Sequence, residues 1–167
     1  RFAAPLGIKN GIEPSRSMAE VARKRGVEVV PGVAEHLPFM DGQFDCALMV
    51  TTICFLDDIA MAFQEVRRIL KPGGVFVIGF VDSESPLGMA YQDRKDKSAF
   101  YRDATFYSTK DIVASLKKAG FVQVVVLSGG IGYVAAARTL SARIYAKTRA
   151  SNEAGMNIVN VIMDTLR

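Results

Sequence analysis

The stretch from Phe44 to Val81, FDCALMVTTICFLDDIAMAFQEVRRILKPGGVFVIGFV, reads as strand, helix and strand in immediate succession. Phe44–Val50 is almost wholly apolar after Asp45, the pattern of a strand covered on both faces in a parallel sheet. Asp57-Asp58 then offers a helix cap. Ile59, Ala62, Phe63, Val66, Ile69 and Leu70 recur at i, i+3, i+4, i+7, i+10 and i+11, the spacing of one helix face. Lys71-Pro72-Gly73-Gly74 stops that helix in a tight turn, and Val75–Val81 is a second buried strand.

The same rhythm extends in both directions. Upstream, Lys9–Glu13 is a short strand segment ending in an acid, and Pro14-Ser15 leads into a helix bearing Met18, Ala19 and Ala22. Ser15 suits its N-cap and Gly26 its exit. Val27–Val30 is a strand and Pro31–Asp41 a loop. Downstream, Ser108-Thr109 opens a helix with Ile112, Val113, Leu116 and Ala119, closed by Gly120, and Phe121–Leu127 is again a strand. Alternation of this kind predicts an α/β layered fold with a mostly parallel sheet and helices on both faces. Residues 83–107 interrupt it with Ser83, Ser85, Pro86, Gly88 and five aromatics, Tyr91, Phe100, Tyr101, Phe106 and Tyr107. They follow the carboxyl end of a strand, where open α/β sheets bind ligands, and read either as a plain excursion capping the core or as a wall over a substrate pocket.

Composition narrows the function. The 167 residues suffice for one domain with a proper core. Half of them are hydrophobic and 23% are charged, with a mean hydropathy of +0.19, a globular balance. No apolar run approaches the ~20 residues of a membrane helix. Two cysteines, Cys46 and Cys54, and one histidine, His36, cannot build a disulfide framework or a zinc site, and fit a reducing cytoplasm. The formal charge of +4 is not spread evenly. Residues 1–128 hold 16 Lys/Arg against 15 Asp/Glu, and residues 129–167 hold 5 against 2. A basic tail that includes Arg138, Arg143, Lys147 and Arg149 is a poor substitute for the concentrated basic face of a nucleic-acid binder.

Glu13 ends a strand before a helix, the place where a carboxylate can take ribose hydroxyls. Four segments then occur in a telling order: Glu13-Pro14-Ser15-Arg16-Ser17-Met18, Ala34-Glu35-His36-Leu37-Pro38-Phe39, Phe44-Asp45-Cys46-Ala47-Leu48 and Leu70-Lys71-Pro72-Gly73-Gly74. The series resembles the class I S-adenosylmethionine-dependent methyltransferases, in particular the small-molecule branch with the ubiquinone and menaquinone biosynthesis enzymes. The resemblance covers residues 1–127. It implies a Rossmann-like fold, S-adenosyl-L-methionine as cofactor, methyl transfer to a small-molecule acceptor in the cytoplasm, a homodimer as the self-association, and neither membrane nor nucleic acid as partner. It also implies the cofactor site. Glu13 matches the acid that holds the ribose, Pro14, Ser15 and Met18 flank the adenosine, Ala34 and Glu35 lie beside the adenine, and Met49, Val50 and Thr51 line the methionine part. No catalytic residue or metal is implied.

Two features depart from that pattern. The family's first strand and its glycine-rich turn have no counterpart ahead of Arg1, and Arg1–Leu6 reads as the start of the first helix. An N-terminally incomplete domain over residues 1–128, with 129–167 as a C-terminal extension of it, is therefore expected. The alternative is an incomplete, non-catalytic module that binds or interacts. Finally, Val124–Leu127, Gly129–Gly132 and Tyr133–Arg138 echo the strand, glycine turn and helix of a dinucleotide site. That echo raises two weaker ideas, a dinucleotide-dependent oxidoreductase and a permuted replacement for the missing turn. The simpler expectation makes Phe121–Leu127 the sixth strand and Asn157–Met163 an antiparallel seventh, with a helical insertion between them. His36 is expected to face solvent, and Asp82, at a strand's carboxyl end, is a candidate for orienting substrate.

Overall fold

The computed structural model describes residues 8–127, 132–137 and 158–161. Strands β1 (Asn10–Ile12), β2 (Glu28–Val30), β3 (Phe44–Val50), β4 (Leu70–Phe80), β5 (Gln123–Leu127), β6 (Gly132–Ala137) and β7 (Ile158–Val161) form one sheet in the order β2-β1-β7-β3-β4-β6-β5. All described ladders among β2, β1, β7, β3 and β4 are parallel, and β6 alone runs antiparallel to both its neighbours. Helices α1 (Arg16–Lys24), α2 (Ile59–Ile69), α3 (Pro86–Asp93) and α4 (Thr109–Lys118) complete the described elements, with short 3-10 turns at Ile53–Phe55 and Lys95–Lys97. This is the Rossmann-like α/β fold.

Local chemistry sets the helix ends. The Ser15 hydroxyl accepts from the Met18 amide at the start of α1, and Gly26, at φ 83°, turns the chain back toward β2. The Asp58 carboxylate caps α2 at the amides of Ala60 and Met61, both 2.9 Å. Ser108 and Asp111 form a reciprocal capping box on α4. Leu70 has already left the helix for extended backbone and pairs with Phe44, so the Lys71–Gly74 turn lies within the irregular start of β4.

The strand alternation sorts side chains to two faces. Ala47 and Met49 join the main core with Phe63, Val66 and Ile69 of α2 and Ile112 and Leu116 of α4, whereas Leu48 packs with Ala19, Val27 and Val29 beside α1. Phe63 and Phe76 are wholly buried with ring centroids 5.4 Å apart. Truncating either to alanine would cost about 3–5 kcal/mol.

Two expectations are corrected. Tyr133–Arg138 is not the start of a helix: Gly132–Ala137 is the antiparallel strand, pairing Tyr133 with Leu127 and with Gly79. Alanine's helix preference yields because a strand here satisfies backbone groups of two neighbours at once. The Asn157–Met163 segment supplies β7, which lies between β1 and β3 and runs parallel to both rather than antiparallel. Val159 sits opposite both Asn10 and Ala47, and Asn160 opposite Gly11 and Leu48. The position of the first strand in the family pattern is thus filled by β7, joining two ladders whose inner edges would otherwise expose unpaired amides and carbonyls. Gly132, on β6, lies across the sheet from Glu13 with three strands between β6 and β1, so it does not take the place of the family's glycine turn. Arg1–Leu6, Gly129-Gly130 and the basic tail lie outside the described residues.

Candidate functional site

The carboxyl ends of β1, β3 and β4 share one edge of the sheet, and the candidate residues gather there. Glu13 follows β1 directly. Its amide donates to the Val30 carbonyl, keeping it in line with β2, and its side chain is only 1% exposed. Its Oε1 accepts from the Ser15 amide at 2.8 Å. Ser15 therefore does two things: its amide orients Glu13 while its hydroxyl caps α1. Pro14 is exposed between them and Met18 is half-buried on the first turn of α1. From Glu13 to the end of β3 the distance is two strand spacings, about 10 Å.

The loop after β2 brings Ala34, wholly buried, and Glu35, 8% exposed, to the same region. The Glu35 carboxylate is engaged at the N-terminus of α2. Its Oε1 accepts from the amides of Asp57 at 3.0 Å and Asp58 at 3.3 Å, immediately ahead of that helix. A second anchor holds the loop: Leu37 donates its amide to Glu65, while Arg68 donates to the carbonyls of Leu37 and Phe39 and pairs with Glu65 and Asp41. The Arg68 hydrogen bond holds the Glu65 carboxyl below the ordinary glutamate range. Sequence reasoning missed the Glu35 clamp, because its partners lie more than twenty residues away and nothing local signals them. His36 is exposed, as expected.

At the end of β3, Met49 is wholly buried in the core and Thr51 turns the chain with φ 54°. A β-branched residue in the left-handed region carries strain of about 1–3 kcal/mol, which collects at functional sites. Hydrogen bonds hold it: the Thr51 amide donates to Gly79 on β4 at 2.7 Å, and the hydroxyls of Thr51 and Thr52 both donate to the Val50 carbonyl. The Cys54 thiol donates to the Thr51 carbonyl. Burial pushes that thiol up to about 12, so it is no nucleophile at neutral pH.

Beyond Thr51 lies a small, partly enclosed cavity of about 20 Å³, lined from β3 and β4 by Thr51, Phe80 and Val81, from the turn after β3 by Ile53 and Cys54, and from the interrupting segment by Tyr101, Thr105, Phe106 and Tyr107. Tyr101 is the hub of an aromatic cluster. Its ring stacks on Tyr91 at 5.0 Å and on Phe55 at 6.2 Å, with Phe100 and Phe106 at 4.7 and 5.8 Å. The wall is tied to the sheet by Thr105, whose amide donates to Cys54, and by Ser83, whose amide donates to Tyr107. Gly88 completes the seam: a Cβ there would overlap the Asp82 carbonyl, so α3 can approach β4 this closely only at a glycine. Asp82 is not among the residues that line the cavity. Its carboxylate accepts from the Thr109 hydroxyl and amide and from the Glu84 amide. Partial burial would raise its pKa, but those hydrogen bonds win and hold it below the ordinary aspartate range.

Residues 3–78 match the family model described as a methyltransferase domain. A solved S-adenosylmethionine-dependent methyltransferase of Thermotoga maritima, described as a possible histamine N-methyltransferase, is 45% identical to this chain. It superposes with a TM-score of 0.78 over 83% of this chain and 77% of its own. The chain belongs to the S-adenosylmethionine-dependent methyltransferases. An uncharacterized protein of Methanocaldococcus jannaschii is 43% identical over 72% of this chain and 59% of its own length. The demethylmenaquinone methyltransferase of Staphylococcus aureus is 34% identical over 46% of this chain. The chain spans about half the length of the curated relatives it matches. Among the described residues no helix is long and apolar enough to cross a membrane.

S-adenosylmethionine is the cofactor of this methyltransferase family, and the residues present fit it at both ends of the edge. A buried carboxylate at the end of β1 suits a pair of ribose hydroxyls, and an uncharged cavity beyond β3 suits the transfer of a methyl group away from water.

Proposed function

We propose that this methyltransferase chain transfers the methyl group of S-adenosylmethionine to a small-molecule acceptor. The observation that carries the reading is the alignment along one sheet edge of buried Glu13, strained Thr51 and the aromatic-walled cavity. The cofactor, when bound, supplies an electrophilic methyl group. Glu13, fixed by Ser15, holds the ribose hydroxyls; Pro14, Ser15 and Met18 flank the adenosine. Ala34 and the backbone at Glu35 border the adenine, since the Glu35 carboxylate is engaged at α2. Val50 and Thr51 border the methionine part, and Met49 supports them from the core. Thr51 and the aromatic wall confine the acceptor and exclude water. Direct displacement rewards alignment and dryness more than proton transfer, which agrees with a cavity that presents no acid–base pair among its described residues.

The demethylmenaquinone and histamine in the relatives' descriptions are small molecules. The reading places the reaction in the cytoplasm, without a nucleic-acid partner, and makes a homodimer the self-association to look for by sizing. The test is incubation with methyl-labelled cofactor and a cell extract fractionated by size. Label in the small-molecule fraction is expected; label confined to protein or RNA would contradict the reading.

A further inference from the structure

The cavity beyond Thr51 has room for about one water molecule, too little for a small-molecule acceptor. Three of its lining residues, Tyr101, Thr105 and Phe106, belong to the segment between Ser83 and Tyr107, which is lightly anchored. Of residues 84–106 only Gly88 and Ala104 are buried. The Ser83 amide donates to the Tyr107 carbonyl at 3.0 Å, which draws the two ends of the segment together just beyond β4. Resting on the methyl-transfer reading above, we propose that residues 84–106 are a lid that opens on this Ser83–Tyr107 hinge to admit the acceptor, and that the turn Ile53–Phe55 is its latch, coupling closure to cofactor bound at Thr51.

The latch gathers its contacts on one short turn. The Cys54 carbonyl accepts from the Thr105 amide at 2.7 Å, and the Phe55 ring meets those of Phe100 and Tyr101 at 5.4 and 6.2 Å. These contacts can part without stranding a charge. Every charged residue from Glu84 to Asp103 except the half-buried Lys95 is already exposed, and so is Asp57 beside the turn. Opening costs the wetting of three rings, which closure recovers. The same turn reaches the cofactor end of the site. The Cys54 thiol donates to the Thr51 carbonyl, and Thr51 keeps its left-handed backbone, φ 54°, two residues ahead of Ile53. A cofactor bordering Val50 and Thr51 favours the form in which that turn is fixed, and the closed lid fixes it through Cys54. By linkage, bound cofactor then favours the closed lid to the same degree. Closure excludes water from the methyl group in transfer, and opening releases the product.

The chain has no tryptophan, so Phe100→Trp places a single fluorescent reporter on the latch. Saturating S-adenosylhomocysteine, whose binding to the parent protein is measured first, should reduce acrylamide quenching of that reporter about threefold. Adding Phe55→Leu, which removes the ring and keeps the apolar bulk, should leave quenching high with and without the ligand; thermal melting shows that both variants are folded. A lock tests admission of the acceptor. In Thr105→Cys, diamide should join the introduced thiol to Cys54, the free cysteine across the latch. The oxidised protein should bind S-adenosylhomocysteine at least as tightly as the reduced form. It should pass label from methyl-labelled S-adenosylmethionine to the small-molecule fraction of a cell extract at about a tenth of the reduced rate or less, with dithiothreitol restoring the rate. Quenching that ignores bound S-adenosylhomocysteine, a cysteine pair that does not cross-link, or equal rates in the oxidised and reduced forms overturns the lid while leaving the methyl-transfer reading intact. Failure of S-adenosylhomocysteine to bind, or of the reduced protein to label any small molecule, overturns both.

Discussion

The two sides of the proposed site are built by opposite means. The Glu13 side is an assembly of backbone hydrogen bonds over a few residues: Ser15 orients Glu13, Glu13 follows β2 through Val30, and the loop at 34–37 is clamped onto α2. The Tyr101 side is an assembly of ring contacts, drawing Phe55, Tyr91, Phe100 and Phe106 together from separate elements. Directional bonds fix a position for a constant group, whereas ring packing adapts to a variable one. A family with one cofactor and many acceptors needs both, and this chain separates them by about two strand spacings.

Substitutions can break that contrast, and the largest effect is expected at Glu13. Glu13→Ala removes a charged acceptor of two hydroxyls, so cofactor affinity by calorimetry should fall about a hundredfold or more, with the melting temperature little changed. Glu35→Ala should do the reverse. Two amides ahead of α2 lose their partner, which should cost about 2–3 kcal/mol in denaturant unfolding, while cofactor affinity in the folded protein stays within a few-fold. On the aromatic side, Gly88→Ala should push α3 off Asp82 and weaken binding of the acceptor about tenfold. S-adenosylhomocysteine affinity should hold, because α3 follows β4, three strands away from β1 and Glu13. The smallest effect belongs to Asp82. Its folded pKa is depressed, so its stabilisation is present above the unfolded value of about 3.9 and is lost as pH falls through the lower folded value. Asp82→Asn should cost about 1 kcal/mol at neutral pH, and the gap between variant and parent melting temperatures should close in acid.

What the sequence made legible follows the same division. The caps at Ser15, Asp58 and Ser108, the glycine exits at Gly26 and Gly120, and the buried run Phe44–Val50 all depend on neighbours within a turn or a strand, so their chemistry is written locally. Glu13 was legible for the same reason, as an acid at a strand end before a capped helix. Residues 83–107 showed their aromatic content but not α3, nor the hub at Tyr101, because ring partners are chosen in space. Glu35 illustrates the limit: its hydrogen bonds to the Asp57 and Asp58 amides, more than twenty residues away, have no local signal. After Leu127, the strand at Tyr133–Ala137 and the parallel direction of Ile158–Val161 were misread, because both take their structure from partners far along the chain. Alanine-rich sequence then follows the sheet, and the short run Ile158–Val161 pairs between β1 and β3.

The central claim is that Glu13 marks a working S-adenosylmethionine site in this chain. Calorimetric titration with S-adenosylmethionine and with S-adenosylhomocysteine tests it most directly, with Glu13→Ala in parallel. Saturable binding of both ligands to the parent protein, lost in the variant, is the predicted result. A folded parent protein that gives no binding heat, or a variant that binds as tightly as the parent, would contradict it.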